Sequence, residues 1–359
     1  MKIIKYTAPK TLVVEQIEDP PIGDTEIRAQ SILSAISHGT EMNVYRGIAP
    51  FFRRKLNAEY RLFEDADEQD LWSYPIRSSD PGVWYMGYSN VGKVVEVGKA
   101  VTDIQVGDLI YADAPHQSQI IKPAKNVIKL PETLKPEQAI FFTNLMTAYN
   151  GILDSDIKLG DTVVVLGLGV LGQMIVQMAK MSGALQVIGV DLFEKRLEAA
   201  QLNGADYVFN ARTTRDLAKE VRGLTNNKGA DRVIEVTGNQ KSLNEAIRIA
   251  APDTTVTAMG WYQGACTAID LSEEFHHNRI TVRSSQTGSV APGIAHMYNY
   301  ERKVRTCIEL LGKLKLEQLI THKVHLDDIQ SAYMKIDTDP SDIIQIAITY
   351  DDARGHGQK

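Results

Sequence analysis

The chain has 359 residues, 43% of them hydrophobic and 23% charged, with a formal net charge of −6. That composition is ordinary for a globular protein, and the excess of acid gives no reason to expect nucleic acid or an anionic membrane as a partner. Two cysteines, Cys266 and Cys307, exclude a disulfide scaffold and a four-cysteine zinc site, while the length predicts two domains or one large composite; the opening MKIIKYTAPK and the lack of any long apolar run lead to an expected cytoplasmic location.

Residues 1–36 alternate short apolar runs with turns. Leu12–Glu15 and Glu26–Leu33 read as strands, with Pro20-Pro21-Ile22-Gly23-Asp24 between them. A polar loop, Ser37-His38-Gly39-Thr40-Glu41, then leads to a short helical stretch ending near Gly47. Residues 48–84 change character. Basic residues precede acidic ones, and Phe51, Phe52, Tyr60, Phe63, Trp72, Tyr74 and Trp84 are interleaved. This insertion reads either as a surface excursion with anchoring aromatics or as a lid over a substrate pocket, since long ordered loops are often functional. From Gly87 to Tyr111 strands return, and glycines at 87, 92, 98 and 107 suggest a strongly bent antiparallel barrel. Residues 119–122 and 127–130 add strand-like pieces. Pro136–Ile152 reads as a helix started by Pro136 or capped by Thr133.

From Asp161 the pattern switches to alternating strands and helices. Strands are predicted at 162–166, 186–190, 207–209, 232–236, 254–259 and 279–284, and helices at 170–182, 194–203, 213–225 and 240–250. Six strands with helices between them make an α/β fold with a doubly wound parallel sheet. Beyond it lie helices near 298–312 and 326–336 and a last apolar strand, 343–350. That tail does not extend the alternation, so it is expected to return to the N-terminal barrel.

The densest signal is Thr162-Val163-Val164-Val165 leading into Gly167-Leu168-Gly169-Val170-Leu171-Gly172, then a helix, then a second apolar run ending on Asp191. This is strand, tight turn, helix, strand, with an acid about 20 residues beyond the glycines. Gly167 permits the turn, Gly169 lets a pyrophosphate approach the backbone, and Gly172 allows close helix–strand packing. The helix N-terminus at Val170 and Leu171 offers N–H groups to phosphates. Asp191 would accept the adenosine ribose hydroxyls and repel a 2′-phosphate, which favours NAD; Arg196, five residues on, would blur that preference.

Gly87-Tyr88-Ser89-Asn90-Val91-Gly92-Lys93-Val94-Val95-Glu96-Val97-Gly98, followed by Val106-Gly107-Asp108, resembles the signature of the medium-chain dehydrogenase/reductase superfamily, the zinc-type alcohol dehydrogenase-like proteins. The glycine turn, Val190-Asp191 and Glu235-Val236-Thr237-Gly238 sit where that family has its cofactor motifs. The resemblance implies a GroES-like β-barrel catalytic domain over 1–148 and 296–359, interrupted by the 48–84 insertion, and a Rossmann domain over 149–295. It implies an active site in the cleft, hydride transfer with a nicotinamide, and a homodimer or homotetramer. It places Thr147, Thr237, Gly238, Met259, Gly260 and Ser285 near the cofactor, and Thr40 where the family has the hydroxyl of a proton relay. The sequence also departs from the family. Its three catalytic zinc-ligand positions hold His38, Tyr88 and Thr143, a poor donor set for Zn²⁺, so no metal is expected.

Without zinc, hydrogen-bond donors and an acid/base group must handle the reacting oxygen. His38 is the loop's natural candidate near neutral pH, and Tyr88 would donate to a carbonyl or, with a lowered pKa, take an alcohol proton. The reading that results is an NAD-dependent, zinc-independent dehydrogenase oxidising a secondary alcohol of a polar small-molecule substrate: a polyol, sugar or cyclitol derivative. Alternatives are an NAD(P)H-dependent quinone or enoyl reductase and a catalytically inactive dinucleotide-binding sensor. Neither nucleic acid nor membrane is an expected partner, and the edge strand Arg279–Ser284 would need cover from another copy. His276, His277, Lys323 and His325 read as surface residues, and spacing alone does not place His116.

Overall fold

A computed structural model describes residues 1–350 and divides into two compact units. The first comprises Met1–Thr143, Ile320–Pro340 and residues 345–350; the second comprises Asn144–Leu319 and Ser341–Ile344. The units thus change over at 143/144 and 319/320, against expected limits at 148/149 and 295/296.

The first unit opens with an antiparallel hairpin, β1 (Lys2–Ala8) and β2 (Thr11–Gln16). β1, mixed in polarity, was not among the predicted strands. β3 (Glu26–Ala35) follows, then the short helix α1 (Thr40–Tyr45). In the 48–84 insertion a small hairpin, β4 (Lys55–Asn57) and β5 (Leu62–Glu64), precedes β6 (Ile76–Arg77), which pairs with β1. Aromatic contacts organise this segment: Trp72 stacks on Phe51 at 4.4 Å and on Tyr85 at 3.8 Å, and Phe52 stacks on Tyr74 at 5.1 Å. Such pairs contribute about 0.5–1.5 kcal/mol each beyond area burial. β7 (Asn90–Val97), β8 (Leu109–Ala112), β9 (Gln119–Pro123) and β10 (Val127–Lys129) complete this stretch. Register shifts along β3 and β7, at Arg28/Ala29 and Ser31/Leu33, bend the sheet. The helix expected over 136–152 is two, α2 (Pro136–Ala139) and α3 (Phe142–Ser155). The break falls where Ile140 and Phe141 are fully buried and the Ile140 carbonyl accepts the Ser89 hydroxyl at 2.6 Å.

The second unit holds β11 (Thr162–Leu166), α4 (Val170–Met181), β12 (Gln186–Asp191), α5 (Glu194–Leu202), β13 (Tyr207–Asn210), α6 (Leu217–Leu224), β14 (Arg232–Glu235), α7 (Gln240–Ile249), β15 (Thr255–Ala258), α8 (Glu274–His277), β16 (Thr281–Ser284) and α9 (Tyr300–Leu311). The six strands are parallel in the order β13-β12-β11-β14-β15-β16, the doubly wound topology expected from the sequence. The order reverses between β11 and β14, the position at which such sheets bind ligands beyond their carboxyl ends. α6 starts later than its apolar pattern suggested, because Asp216 caps it by accepting the Lys219 N–H.

The chain then returns to the first unit with β17 (Ile320–His325), α10 (Ile329–Thr338) and β18 (Gln345–Thr349). β18 joins β3 antiparallel and β17 parallel, giving a sheet ordered β10-β8-β7-β3-β18-β17, with β9 also on β3. β17 went unpredicted: its Lys323 is exposed, but His325 is half-buried and accepts the Asp327 N–H at 3.3 Å. His276 and His277 are exposed. Tyr6, Tyr45 and Tyr333 pack ring to ring at 5.2–6.3 Å in the core of this unit. Among the described residues, no helix is long and apolar enough to cross a membrane.

Burial raises the phenol pKa of Tyr6, Tyr88, Tyr111, Tyr333 and Tyr350 above the ordinary value. An unfolded tyrosine titrates near about pH 10. As pH rises past that value the unfolded chain releases these protons first, so the stability they contribute is full below about pH 10 and is lost as pH climbs through the folded values. Urea midpoints should therefore hold steady to about pH 10 and fall steeply above it. A midpoint unchanged at about pH 12 would contradict this burial.

Candidate active site

The polar loop of the first unit is held from below by a buried acid. Glu41, on α1 and fully buried, accepts the Ser37 N–H at 2.7 Å through Oε1. Its Oε2 lies 2.9 Å from His116 Nε2 and accepts the Tyr333 hydroxyl. His116 is itself fully buried, with Nδ1 2.7 Å from the Ser34 hydroxyl, which meets the Tyr350 hydroxyl at 2.6 Å. His116 is thus a core residue, not a group at a substrate surface. Ser37 in turn accepts the Tyr88 hydroxyl at 2.6 Å and the Thr40 N–H at 3.2 Å. Thr40 also lies against the Tyr88 phenol. His38 and Thr40 are half-buried on this loop.

Tyr88 has its pKa pushed up to about 12, mainly by burial; hydrogen bonding to Ser37 opposes the rise and the charge of Glu41 adds to it. The phenol is therefore a neutral donor at physiological pH, which removes the option of a base with lowered pKa. Thr143 sits one step further along. Its hydroxyl meets Tyr111 at 2.6 Å, and Tyr111 donates to the Tyr88 carbonyl at 2.7 Å. The structure thus links Thr40, Tyr88 and Thr143 through Ser37 and Tyr111, with His38 on the same Glu41-held loop; motif reading passed over Ser37, Glu41 and Tyr111. One signal was available: a Glu at the start of a helix reaching back to an N–H of the preceding loop, as in a capping box.

In the second unit the glycine turn has the expected form. Gly167 has φ +97°, and a Cβ on Gly172 would lie 1.9 Å from the Gly167 carbonyl oxygen, so helix and turn close only with glycine there. At Gly169, the N-cap of α4, a Cβ would meet nothing within 4 Å. The turn thus leaves open space before the first N–H groups of α4, Val170 and Leu171, which have no acceptor within the helix. Open space before free N–H groups is the arrangement that would suit a pyrophosphate.

Asp191 does more than the sequence suggested. Its Oδ2 accepts the Leu168 N–H at 2.7 Å, and Oδ1 accepts those of Leu192 and Phe193 at 2.7 and 3.1 Å. Three of a carboxylate's roughly four acceptor positions are therefore engaged by backbone. Arg196 lies 3.8 Å from Oδ2, donates to the Ile343 carbonyl at 3.0 Å and sits over the Phe193 ring. Burial lowers its pKa and Asp191 draws it back up. Arg212 lies over the same ring at 4.9 Å, a second guanidinium that the motif did not reveal.

The strand ends carry a second lock. Buried Glu235 accepts the Thr237 N–H at 2.8 Å, the Thr237 hydroxyl, the Gly238 N–H at 3.3 Å and the Tyr262 hydroxyl. Thr237 therefore spends its hydroxyl on the fold. A Cβ on Gly260 would fall 2.2 Å from Gly238 Cα, so the ends of β14 and β15 touch backbone to backbone, with Met259 donating its N–H to the Glu235 carbonyl at 2.8 Å. Ser285 donates its hydroxyl to Asp154 at 2.6 Å, and Thr147 is half-buried on α3.

The donor chemistry of His38, Tyr88 and Thr143 does not fit zinc. A neutral phenol and an aliphatic hydroxyl are poor ligands for it. Among the described residues no group of three or more His, Cys, Asp and Glu side chains is arranged to hold a metal ion. The glycine turn, by contrast, fits a dinucleotide.

Residues 170–306 match the zinc-binding dehydrogenase family. The chain is 32% identical over 358 residues to D-guloside 3-dehydrogenase of Escherichia coli K12, covering 98% of this chain and 100% of that one. In fold it is similar to an alcohol dehydrogenase of E. coli CFT073 solved with NADH, at TM-score 0.76 and 22% identity, covering 98% and 99% of the two chains. It is likewise similar to galactitol-1-phosphate dehydrogenase of E. coli, at TM-score 0.75 and 18% identity, covering 97% and 100%. With its paired units, its glycine turn and a relative matched along its whole length, the chain belongs to the medium-chain, zinc-type alcohol dehydrogenase-like superfamily and is an oxidoreductase.

Proposed function

We propose that this oxidoreductase oxidises a secondary alcohol on a sugar, polyol or cyclitol derivative, with NAD as hydride acceptor and without a catalytic metal. The observation that carries the reading is the full-length likeness to a D-guloside 3-dehydrogenase, an enzyme named for oxidising a ring carbon of a sugar derivative. The chemistry of the polar loop supports it. Hydroxyls and a neutral phenol around Ser37 suit a substrate rich in hydroxyl groups. NAD, when bound, would supply the hydride-accepting C4 of its nicotinamide. Gly167, Gly169 and Gly172, with Val170 and Leu171, would hold its pyrophosphate, and Asp191 the adenosine ribose. His38 takes the alcohol proton, and Thr40 and Tyr88 orient the reacting hydroxyl and the carbonyl it becomes.

The direct test follows NADH formation with D-gulosides, other glycosides and polyols, and NADH consumption with enones and quinones, using protein assayed for metal. Turnover of the sugar group with well below one zinc per chain is expected, and Tyr88→Phe should lower kcat by about tenfold or more for loss of a transition-state hydrogen bond. Reduction of quinones or enones alone would replace this reading with the reductase one. Stoichiometric zinc needed for turnover would remove its metal-free part.

Asp191 both closes the turn and sets cofactor choice in this reading. Asp191→Ala should weaken NADH and NADPH alike by loosening the turn, with NADH losing more. Tighter binding of NADPH than NADH by the wild type would instead assign Arg196 and Arg212 to a 2′-phosphate.

We also infer a homodimer or homotetramer. Among the described residues β16 pairs only on its β15 side, and Thr281, Val282 and Ser284 are exposed. Light scattering should give a multiple of the 39.8 kDa chain mass, and a single-chain mass at micromolar concentration would refute it.

A further inference from the structure

The stretch Ser285–Ala291 follows β16 at the carboxyl end of the sheet and has neither helix nor strand. Residues 286–289 are exposed, yet the segment is tied at five points to two helices of its own unit. Asp154 on α3 accepts the Ser285 hydroxyl through Oδ2 at 2.6 Å and the Ala291 N–H through Oδ1 at 2.6 Å. Asn150, one turn earlier, has its amide nitrogen 3.3 Å from the Gln286 carbonyl and 3.0 Å from that of Ser289; Asp154 Oδ2 at 3.0 Å and Ser285 Oγ at 3.4 Å share the same two hydrogens. Lys303 on α9 donates to the Thr287 carbonyl at 3.1 Å and to the Asn150 side-chain oxygen at 2.8 Å. Asn150, Asp154 and Lys303 are 1%, 4% and 4% exposed.

A buried lysine and a buried aspartate joined through an amide are a costly way to fill a core, and apolar residues of similar volume would usually do as well or better. Here both charges are spent on fixing irregular backbone where a ligand is expected. A doubly wound sheet is built from two mononucleotide-binding halves. The half with β11, β12 and β13 carries the glycine turn and Asp191, and so takes the adenosine side. The half with β14, β15 and β16 is left for the nicotinamide. We propose that Lys303, acting with Asn150 and Asp154, is a positioning residue that holds 285–291 in the shape that receives the nicotinamide end of the cofactor. This rests on the cofactor assignment made above. It gives a helix that follows the sheet and carries no glycine motif a part in shaping the cofactor site.

The test compares NADH with ADP-ribose, which lacks the nicotinamide, by calorimetric titration of wild type and Lys303→Met. NADH affinity should fall about tenfold or more in the variant, the loss expected for a hydrogen bond to a charged group, while ADP-ribose affinity stays within about twofold. An equal fall for both ligands, or no fall for NADH, overturns the proposal. Should the variant fail to fold, hydrogen exchange on the wild type decides. Amides of 285–291 should slow on adding NADH and not on adding ADP-ribose, and the same response to both overturns the proposal. Wild-type protein that binds neither ligand would overturn the cofactor assignment and this proposal with it. Wild type that binds both, beside a variant with unchanged NADH affinity, overturns this proposal alone.

Discussion

The carboxylate of Asp191 is the constraint on which the second unit turns. It ends β12 and accepts the N–H of Leu168, inside the glycine turn that ends β11. A hydrogen bond to a charged group is worth about 1.5–3 kcal/mol, and more is lost if the buried acid is left unpaired. With that bond in place Gly167 and Gly172 meet at van der Waals distance, α4 starts where it does, and space stays open at Gly169. In the proposed reading, recognition of the adenosine ribose would thus fall to a group that already has structural work.

The same device recurs. Glu41 accepts the Ser37 N–H, Glu235 those of Thr237 and Gly238, and Asp154 that of Ala291. Each acid is buried, and each pins an irregular stretch next to a helix or strand end. Loops that carry chemistry cannot be fixed by a ladder of backbone bonds, so they are fixed by buried acceptors. In the first unit the chain of contacts from His116 through Glu41 to Ser37 and Tyr88 does this without offering a proton path, because the link from Glu41 to Ser37 is an amide N–H. Glu41 positions; it does not shuttle.

The sequence was most legible where periodicity was strong. All six strands of the parallel sheet and the four helices between β11 and β15 lie close to their predicted places, because apolar runs and amphipathic stretches alternate cleanly between 162 and 284. The glycine turn was equally clear, since Gly167 and Gly172 answer local steric demands and Gly169 leaves space open. The 48–84 segment was not, because its strands are two or three residues long and are set by aromatic stacking. The break at Ile140-Phe141 was hidden for a similar reason: core burial overrides a continuous helical pattern. The roles of Glu41 and His116 were illegible because their partners are distant in sequence, 75 residues apart for the pair and 292 for Glu41 with Tyr333. Motif spacing carries no information about contacts of that range.

The pairing of β3 with β18 has a consequence for how the molecule is made. Leu33, Ser34 and Ala35 pair with Thr349, Ile348 and Ala347, so the first unit's main sheet lacks a central strand until residue 349 has been made. The sheet of the second unit is complete by Ser284. Domains generally fold as units during synthesis, and long-range strand pairing is slow because loop closure precedes its reward. The dinucleotide sheet therefore has its full sequence first, and the barrel waits with β3 exposed on one edge. That edge is covered by β18 in the folded protein and open in the nascent one, where an unpaired strand edge invites wrong pairing.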